Sequence, residues 1–330
     1  MATAAVPAAL RAGIRGGPWL PFARRRLRRF LVALWVLLTT AFLMIHLVPG
    51  DPVRAALGMT APNELVEARR QALGLNDPLW VQYGHYLGNL FTGDFSTSMT
   101  SNLPVAQVIG DRLPATLALA VPAFVLVAAL AIPLGVLFAV LTRGGGRRGV
   151  ELGFTSVSVF LAAVPEFLVA VGLVAFFAVR LGWFPVAGSG GASTFVLPVT
   201  ALATGATAVL ARIVRVEMLS VLGDDFVRTA RAKRLPARLV YVRHALPSAL
   251  TATLTLGGLM LTAMVAGTVL VENVFAWPGL GSTIVQSILA KDYPTVQGIV
   301  LVYGIGVLLV NLAVDVLLAL LDPRSTIRES

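Results

Sequence analysis

Few side chains in this sequence could do chemistry, and those that could stand apart from one another. His46, His85 and His244 fall in separate segments, and none has a second histidine four residues away, so their spacing offers no zinc site. There is no cysteine, hence neither a disulfide nor a thiolate. No G-x-x-x-x-G-K-[S/T] run occurs. Gly188, Ser189, Gly190 and Gly191 lack the lysine and read as a flexible loop, as Gly144, Gly145 and Gly146 read as a tight hairpin. Glu166 and Asp315 interrupt apolar runs, where an ionisable group is a functional candidate by default. One stretch is crowded by comparison. Residues 224–250, DDFVRTARAKRLPARLVYVRHALPSAL, hold five arginines and one lysine with alanines between them. Such a set suits gripping a partner, since arginine supplies charged donors to carboxylates and small residues let another backbone come close; on charge alone it equally fits a positive-inside loop that happens to be helical.

The elements that must position these residues are membrane helices. The 330-residue chain is 57% hydrophobic and 13% charged, against roughly 25% charged in a globular protein. Six apolar runs, at about 30–48, 115–141, 152–179, 194–211, 249–271 and 296–320, match a hydrocarbon core of roughly 30 Å at 1.5 Å per residue. Pro198 and Gly205 make the fourth run the weakest. Continuous apolarity over such lengths excludes a β-barrel, which alternates over about ten residues. The fold class is therefore all-α: a polytopic membrane protein with six transmembrane helices. The first run is too long for a signal peptide and has no A-x-A-like site after it, which favours an uncleaved anchor.

Charge orients the chain. With the N-terminus inside, 20 of the 26 Lys and Arg residues fall on inner segments, which predicts both termini on the cytoplasmic side. The net charge of +10 follows from this bias and requires no nucleic acid. Arg24, Arg25, Arg26, Arg28 and Arg29 directly precede the first span, a place that favours anionic lipid headgroups. The chain thus divides into a basic tail (1–29), a first span with an outer segment (30–114), a five-helix core (115–320) with a long inner loop (212–248), and a short tail (321–330). Within that loop Asp224 or Asp225 is expected to cap a helix with its side chain, and Pro236 to end that helix and open the next. Phe226, Ala230 and Lys233, at i, i+4 and i+7, are expected to share its contact face. Trp80, Tyr83 and Leu87 give the outer segment a helix with an interfacial aromatic face.

Residues 224–250 resemble the inner loop of permeases of binding-protein-dependent ABC importers, in the dipeptide/oligopeptide branch. On the loop's pattern E-A-A-x3-G-x9-I-x-L-P, the second alanine is Ala230 and the closing pair is Leu246 and Pro247. FVRTARAK resembles the peptide-permease form of it. There are two departures. Arg234 stands at the glycine, and Leu246, Pro247 and Ser248 stand where peptide permeases usually show Leu-Arg-Asn. A left-handed backbone at Arg234 would cost about 1–2 kcal/mol. HLVPGDPVRAALG, LGLNDPLWVQYGHYLGNLFTGDFSTSM, RLGWFPVAG, VENVFAWPGLGSTIVQSILAKDYPTVQG and NLAVDVLLALLDPR extend the resemblance over about 28–328.

The resemblance implies a MetI-like permease core in a bacterial plasma (inner) membrane. It also implies a second homologous permease, two ATPase subunits that bind ATP and Mg, and an extracytoplasmic solute-binding protein. This chain itself would hold no cofactor and no metal and would not be an enzyme. Relatives carry peptides, and also nickel chelates and sugars. Asp225, Phe226, Arg228, Thr229, Ala230, Arg231, Lys233 and Arg234 would couple to an ATPase. Glu272, Phe275, Trp277, Pro278, Gly279, Gly281 and Asp292 would form an outer gate or receptor dock. Glu166 would line the translocation pathway, and Asn311 and Asp315 would be structural. The alternative is an ion-coupled secondary transporter relaying protons through Glu166 and Asp315.

Overall fold

In a computed structural model the described residues are 19–47, 53–54, 58, 60–72 and 74–321. The far N-terminal tail, most of HLVPGDPVRAALG and the last nine residues lie outside them. Among the described residues the chain is helical, with a single bridge between Thr97 and Pro104 in place of any strand.

Helix α1 (Trp19–Leu47) crosses first. Two shorter helices follow, α2 (Asn63–Ala72) and α3 (Leu79–Phe91). Helix α3 rests on the C-terminal end of α1: Tyr83 and Thr39 share a 2.8 Å hydrogen bond, and Phe42 packs against the rings of both Tyr83 and Tyr86. Trp80 stays exposed, as an interfacial residue would.

The core begins with α4 (Val105–Thr142) and continues to α5 (Arg148–Ala163) through a turn in which Gly144 and Gly145 have positive φ. The third apolar run is not the single helix that its length suggests. It breaks between α5 and α6 (Glu166–Leu173) with a bend of 93° and ends in a π-helical turn, Val174–Arg180. Pro165 is the cause. Its ring excludes the α-region at Val164, which sits at φ −75 and ψ 120, and it has no N–H to continue the ladder.

Pro198 does not break the fourth run. Helix α7 spans Ala192–Val221, so the inner loop starts ten residues later than the apolar run implies. After α8 (Asp225–Ala232), a short lead-in from Ala237 to Ala245 passes into α9 (Leu246–Val274). Then come α10 (Leu280–Leu289), too short to span, and α11 (Tyr293–Leu321). Among the described residues five helices are long and apolar enough to cross a membrane, six if the bent pair is one span.

Small residues decide which helices pack. Along α4, Leu119, Ala123, Val127, Ala131, Gly135 and Ala139 recur every four residues and are buried. This ridge lies against α7, where Ala201, Ala208, Ala211 and Val214 are buried in turn. In lipid no hydrophobic force draws helices together, so close packing of this kind supplies the attraction. A Cβ on Gly135 would stand 2.5 Å from the Val214 Cβ. Helix α11 approaches α9 through Gly258 against Val314, and α1 through Gly304 against Leu37.

Replacing Gly135 with alanine should therefore destabilise the bundle by about 1–3 kcal/mol through overpacking. Gly110→Ala, on the same helix with nothing within 4 Å of its added Cβ, should be neutral or stabilising. Thermal unfolding of the two variants in detergent compares them directly.

Candidate functional site

Helix α8 is the inner candidate, and its two faces have different fates. Val227 and Ala230 are buried among Ala139, Met218, Leu222, Val240, Ala245 and Ala249 of the chain's own core. Asp225, Arg228, Thr229 and Ala232 point outward, with Phe226 and Lys233 exposed at one edge and Arg231 half-buried at the other. The expected contact face of Phe226, Ala230 and Lys233 therefore needs correcting. Ala230 is an anchor to the chain itself, because Val227 and Ala230 form the apolar i, i+3 pair that packs under α7 and the lead-in to α9. Ala232 is the small residue left on the free face.

The start of α8 also differs from expectation. Asp224 occupies the cap position, but neither its side chain nor that of Asp225 caps the helix. The Asp224 backbone carbonyl accepts from the N–H groups of Val227 and Arg228 instead.

The end of α8 answers the question raised by the missing glycine. Arg234 has φ +56, inside the left-handed region. Its N–H donates to the Arg231 carbonyl at 2.8 Å and the Leu235 N–H donates to the Ala230 carbonyl at 3.4 Å. These two bonds form the Schellman arrangement that glycine ordinarily closes. Here an arginine closes it, and Leu235 is held by packing on the same buried cluster. Pro236 then starts the next helix, as its position in the sequence predicts.

Arg215 braces the floor beneath which α8 hangs. It is buried and donates to Thr142 Oγ1 through Nε (3.1 Å) and Nη2 (3.0 Å), and to Glu151 through Nη2 (2.8 Å). Its guanidinium lies 6.0 Å from the centre of the Phe154 ring. One side chain thus ties the inner ends of α4, α5 and α7. Sequence reasoning missed it by placing Arg215 in the loop. The signal was there: Val214, Met218 and Val221 continue the helical apolar spacing past Arg212.

At the other end of the bundle, Glu272 is fully buried. Thr116 Oγ1 donates to it at 2.7 Å and the Ser282 N–H at 3.0 Å, so its carboxylate holds the first turn of α10. Thr116 Oγ1 in turn accepts from the Leu280 N–H at 2.8 Å. Trp277, also buried, donates from Nε1 to the Ala115 carbonyl at 2.9 Å and meets Phe195 edge-on. Glycine is needed at 279 and 281, since a Cβ would overlap the Glu272 carboxylate or come within 2.5 Å of the Val269 Cα. Asp292 accepts from Ser98 Oγ (2.5 Å), the Met99 N–H (3.0 Å) and Thr295 Oγ1 (2.8 Å), clipping the 98–99 turn to the start of α11.

Of the seven residues expected at an outer gate or receptor dock, Glu272, Phe275, Trp277, Gly279, Gly281 and Asp292 are buried and Pro278 is half-buried. They fasten α10 to α4 and α9 and present almost no surface. The polar surface beside them is a cavity of about 450 Å³ bordered by Ser98, Asp111, Arg112 and Gln286.

The two intramembrane acids are not brought together. Asp315 pairs with Arg26 of α1 at 2.6 Å, beside Asn311, the structural pairing expected of it. Glu166 opens α6, half-buried, with its carboxylate against Gly267 of α9, where an added Cβ would require the glutamate side chain to shift. No hydrogen bond or ion pair reaches it among the described residues. Nothing supports a relay between them. Among the described residues no group of three or more His, Cys, Asp or Glu could hold a metal ion.

A six-span helical bundle with a short amphipathic helix tucked under one end is the architecture of an importer permease. The chain belongs to the family described as binding-protein-dependent transport system inner membrane component: residues 131–327 match it, and 19–120 match the family's N-terminal part. It is the transmembrane permease subunit of an ABC importer, a multi-pass inner-membrane protein from a family that works with ATPase and binding-protein partners. The glutathione transport system permease protein GsiC of Salmonella typhimurium is 36% identical over 305 residues, covering 92% of this chain and 98% of that protein. The GsiC proteins of Escherichia coli K12 and Shigella flexneri are each 35% identical over the same coverage. Among solved structures, the inward-facing MetNI methionine ABC transporter shares the fold, with a TM-score of 0.56 at 20% identity over 66% of this chain and 97% of that one.

Two outcomes follow from this geometry. Arg234→Gly removes the left-handed cost of about 1–2 kcal/mol and adds a glycine entropy cost of about 0.5–1, so the thermal midpoint should rise slightly. At the outer clamp, Glu272→Ala should cost about 3 kcal/mol, because it strands a buried hydroxyl and a buried N–H. Adding Thr116→Ala should then cost much less than it does alone. A double-mutant cycle reads that coupling.

Proposed function

We propose that this chain forms half of a peptide-conducting pathway and is driven by an ATPase through α8. In this reading it pairs with a second, similar permease. Two ATPase subunits bind ATP and Mg and sit under the pair, and a solute-binding protein delivers cargo from the other side. The chain contributes no ATP site and no catalysis of its own, and both of its termini are cytoplasmic. The arginine asymmetry between inner and outer segments supports that orientation. The activity of the GsiC relatives, transport of glutathione, supports a small peptide as cargo.

One observation carries the coupling role. Helix α8 has Val227 and Ala230 rooted in the chain's own core while Asp225, Arg228, Thr229 and Ala232 face outward. A lever needs both properties. The rooted face makes any displacement of α8 a displacement of α7 and α9, and the free face gives a partner something to hold. Energy from ATP-driven closure shifts the bundle only if those outward contacts differ between states. The Arg228–Asp225 pair on that face, at 3.5 Å and well exposed, contributes little to stability and leaves both groups available.

Ala232→Trp enlarges the free face without touching the buried one. We expect normal membrane insertion and an unchanged thermal midpoint, with ATPase association and uptake lost. Ala230→Glu, by contrast, forces a charge into the buried cluster and should lower stability by several kcal/mol. Wild-type uptake by Ala232→Trp would end the coupling proposal.

A further inference from the structure

The inner end of α1 carries five arginines, and the fold sorts them onto two sides. Arg26 turns into the bundle, where it pairs with Asp315 and lies 5.5 Å from the Phe22 ring centre. Arg29 borders the same small cavity between α1 and α11. Arg24 and Arg28 instead border an open groove of about 400 Å³ on the outer flank of α1, with Leu27, Leu31, Val32 and Trp35. These four apolar side chains are 57%, 52%, 57% and 59% exposed. No acid lies within ion-pair reach of Arg24 or Arg28 among the described residues.

We propose that this groove holds one anionic glycerophospholipid, with its phosphate on Arg24 and Arg28 and an acyl chain along Leu27, Leu31 and Trp35. Arg24 and Arg28 are one helical turn apart, about 6 Å, so both guanidinium groups can reach a single phosphate. The apolar residues follow on the same flank for two further turns, about 10 Å into the bilayer. The order of charged turn and then apolar turns repeats the head-to-tail order of the lipid.

Charge complementarity selects this occupant. A zwitterionic headgroup would leave two arginines without net compensation, and a protein helix in the same place would have to bring its own acids to the interface. The lipid also completes a ring of charge at this end of α1, since Asp315 already serves Arg26. The proposal rests on α1 spanning the membrane and is independent of the cargo and of the ATPase contact.

The test is native mass spectrometry of the assembled transporter taken from vesicles of equal phosphatidylglycerol and phosphatidylcholine. The wild type should retain one phosphatidylglycerol per copy of this chain. The double variant Arg24→Gln with Arg28→Gln should retain roughly 25-fold less, since each basic residue near an anionic surface gives about a fivefold gain. Arg147→Gln, in the α4–α5 turn, should retain the wild-type amount. A second measurement covers misfolding: the thermal midpoint of the wild type should rise when phosphatidylglycerol replaces phosphatidylcholine, and that rise should vanish in the double variant. Equal retention of both lipids by the wild type, or unchanged retention by the double variant, overturns the proposal. So does a photo-crosslinker at Leu31 that captures a permease or ATPase chain in place of lipid.

Discussion

The close approach of α4 to α7 governs everything at both ends of this molecule. Ala123, Ala131, Gly135 and Ala139 remove the side-chain bulk that would hold the two backbones apart. With that spacing set, the outer end of α4 places Thr116 and the Ala115 carbonyl where Glu272 and Trp277 need them. Its inner end places Thr142 where Arg215 needs it and Ala139 where α8 packs. Twenty-six residues separate Thr116 from Thr142, about 39 Å of helix. A single rigid element therefore fixes two sites on opposite sides of a membrane.

Polar groups in this fold are placed by what lipid forbids. A carboxylate at membrane depth is costly without donors around it, and Glu272 is found among a hydroxyl and backbone N–H groups, and Asp315 against an arginine. The fastening of α10 follows from the same rule, since the free N–H groups of its first turn need an acceptor and Glu272 supplies it. The two glycines beside Glu272 make room for that carboxylate. The motif around Trp277 is thus a piece of packing with a polar centre.

The sequence was most legible where one dominant force acts. Apolar length predicted five spanning helices and the bent pair that stands in place of the third, and the motifs around α8 predicted a short helix with Pro236 at its end. It was least legible where faces had to be assigned. In the eight-residue α8 the apolar i, i+3 pair Val227 and Ala230 marks the buried side, and grouping Ala230 with Phe226 and Lys233 at i, i+4 and i+7 overlooked it. Arg215 was hidden because a charge normally marks the end of a span, whereas here Thr142 and Glu151 compensate it. The buried state of Phe275, Trp277 and Asp292 depends on α4 and on the 98–99 turn, far away in the chain. The break at Pro165 was written in the residue itself, yet Pro198 in α7 and Pro114, Pro122 and Pro133 in α4 do not break their helices. Proline alone does not separate these cases.

That break alters the electrostatics at membrane depth. A continuous span would cancel its peptide dipoles internally and leave partial charges only at the two aqueous boundaries. Cutting the span at Val164 creates two new poles within the apolar layer, a negative one closing α5 and a positive one opening α6, each worth about half an elementary charge. Glu166, first residue of α6, sits on the positive pole, so the backbone itself offsets part of the self-energy of its carboxylate.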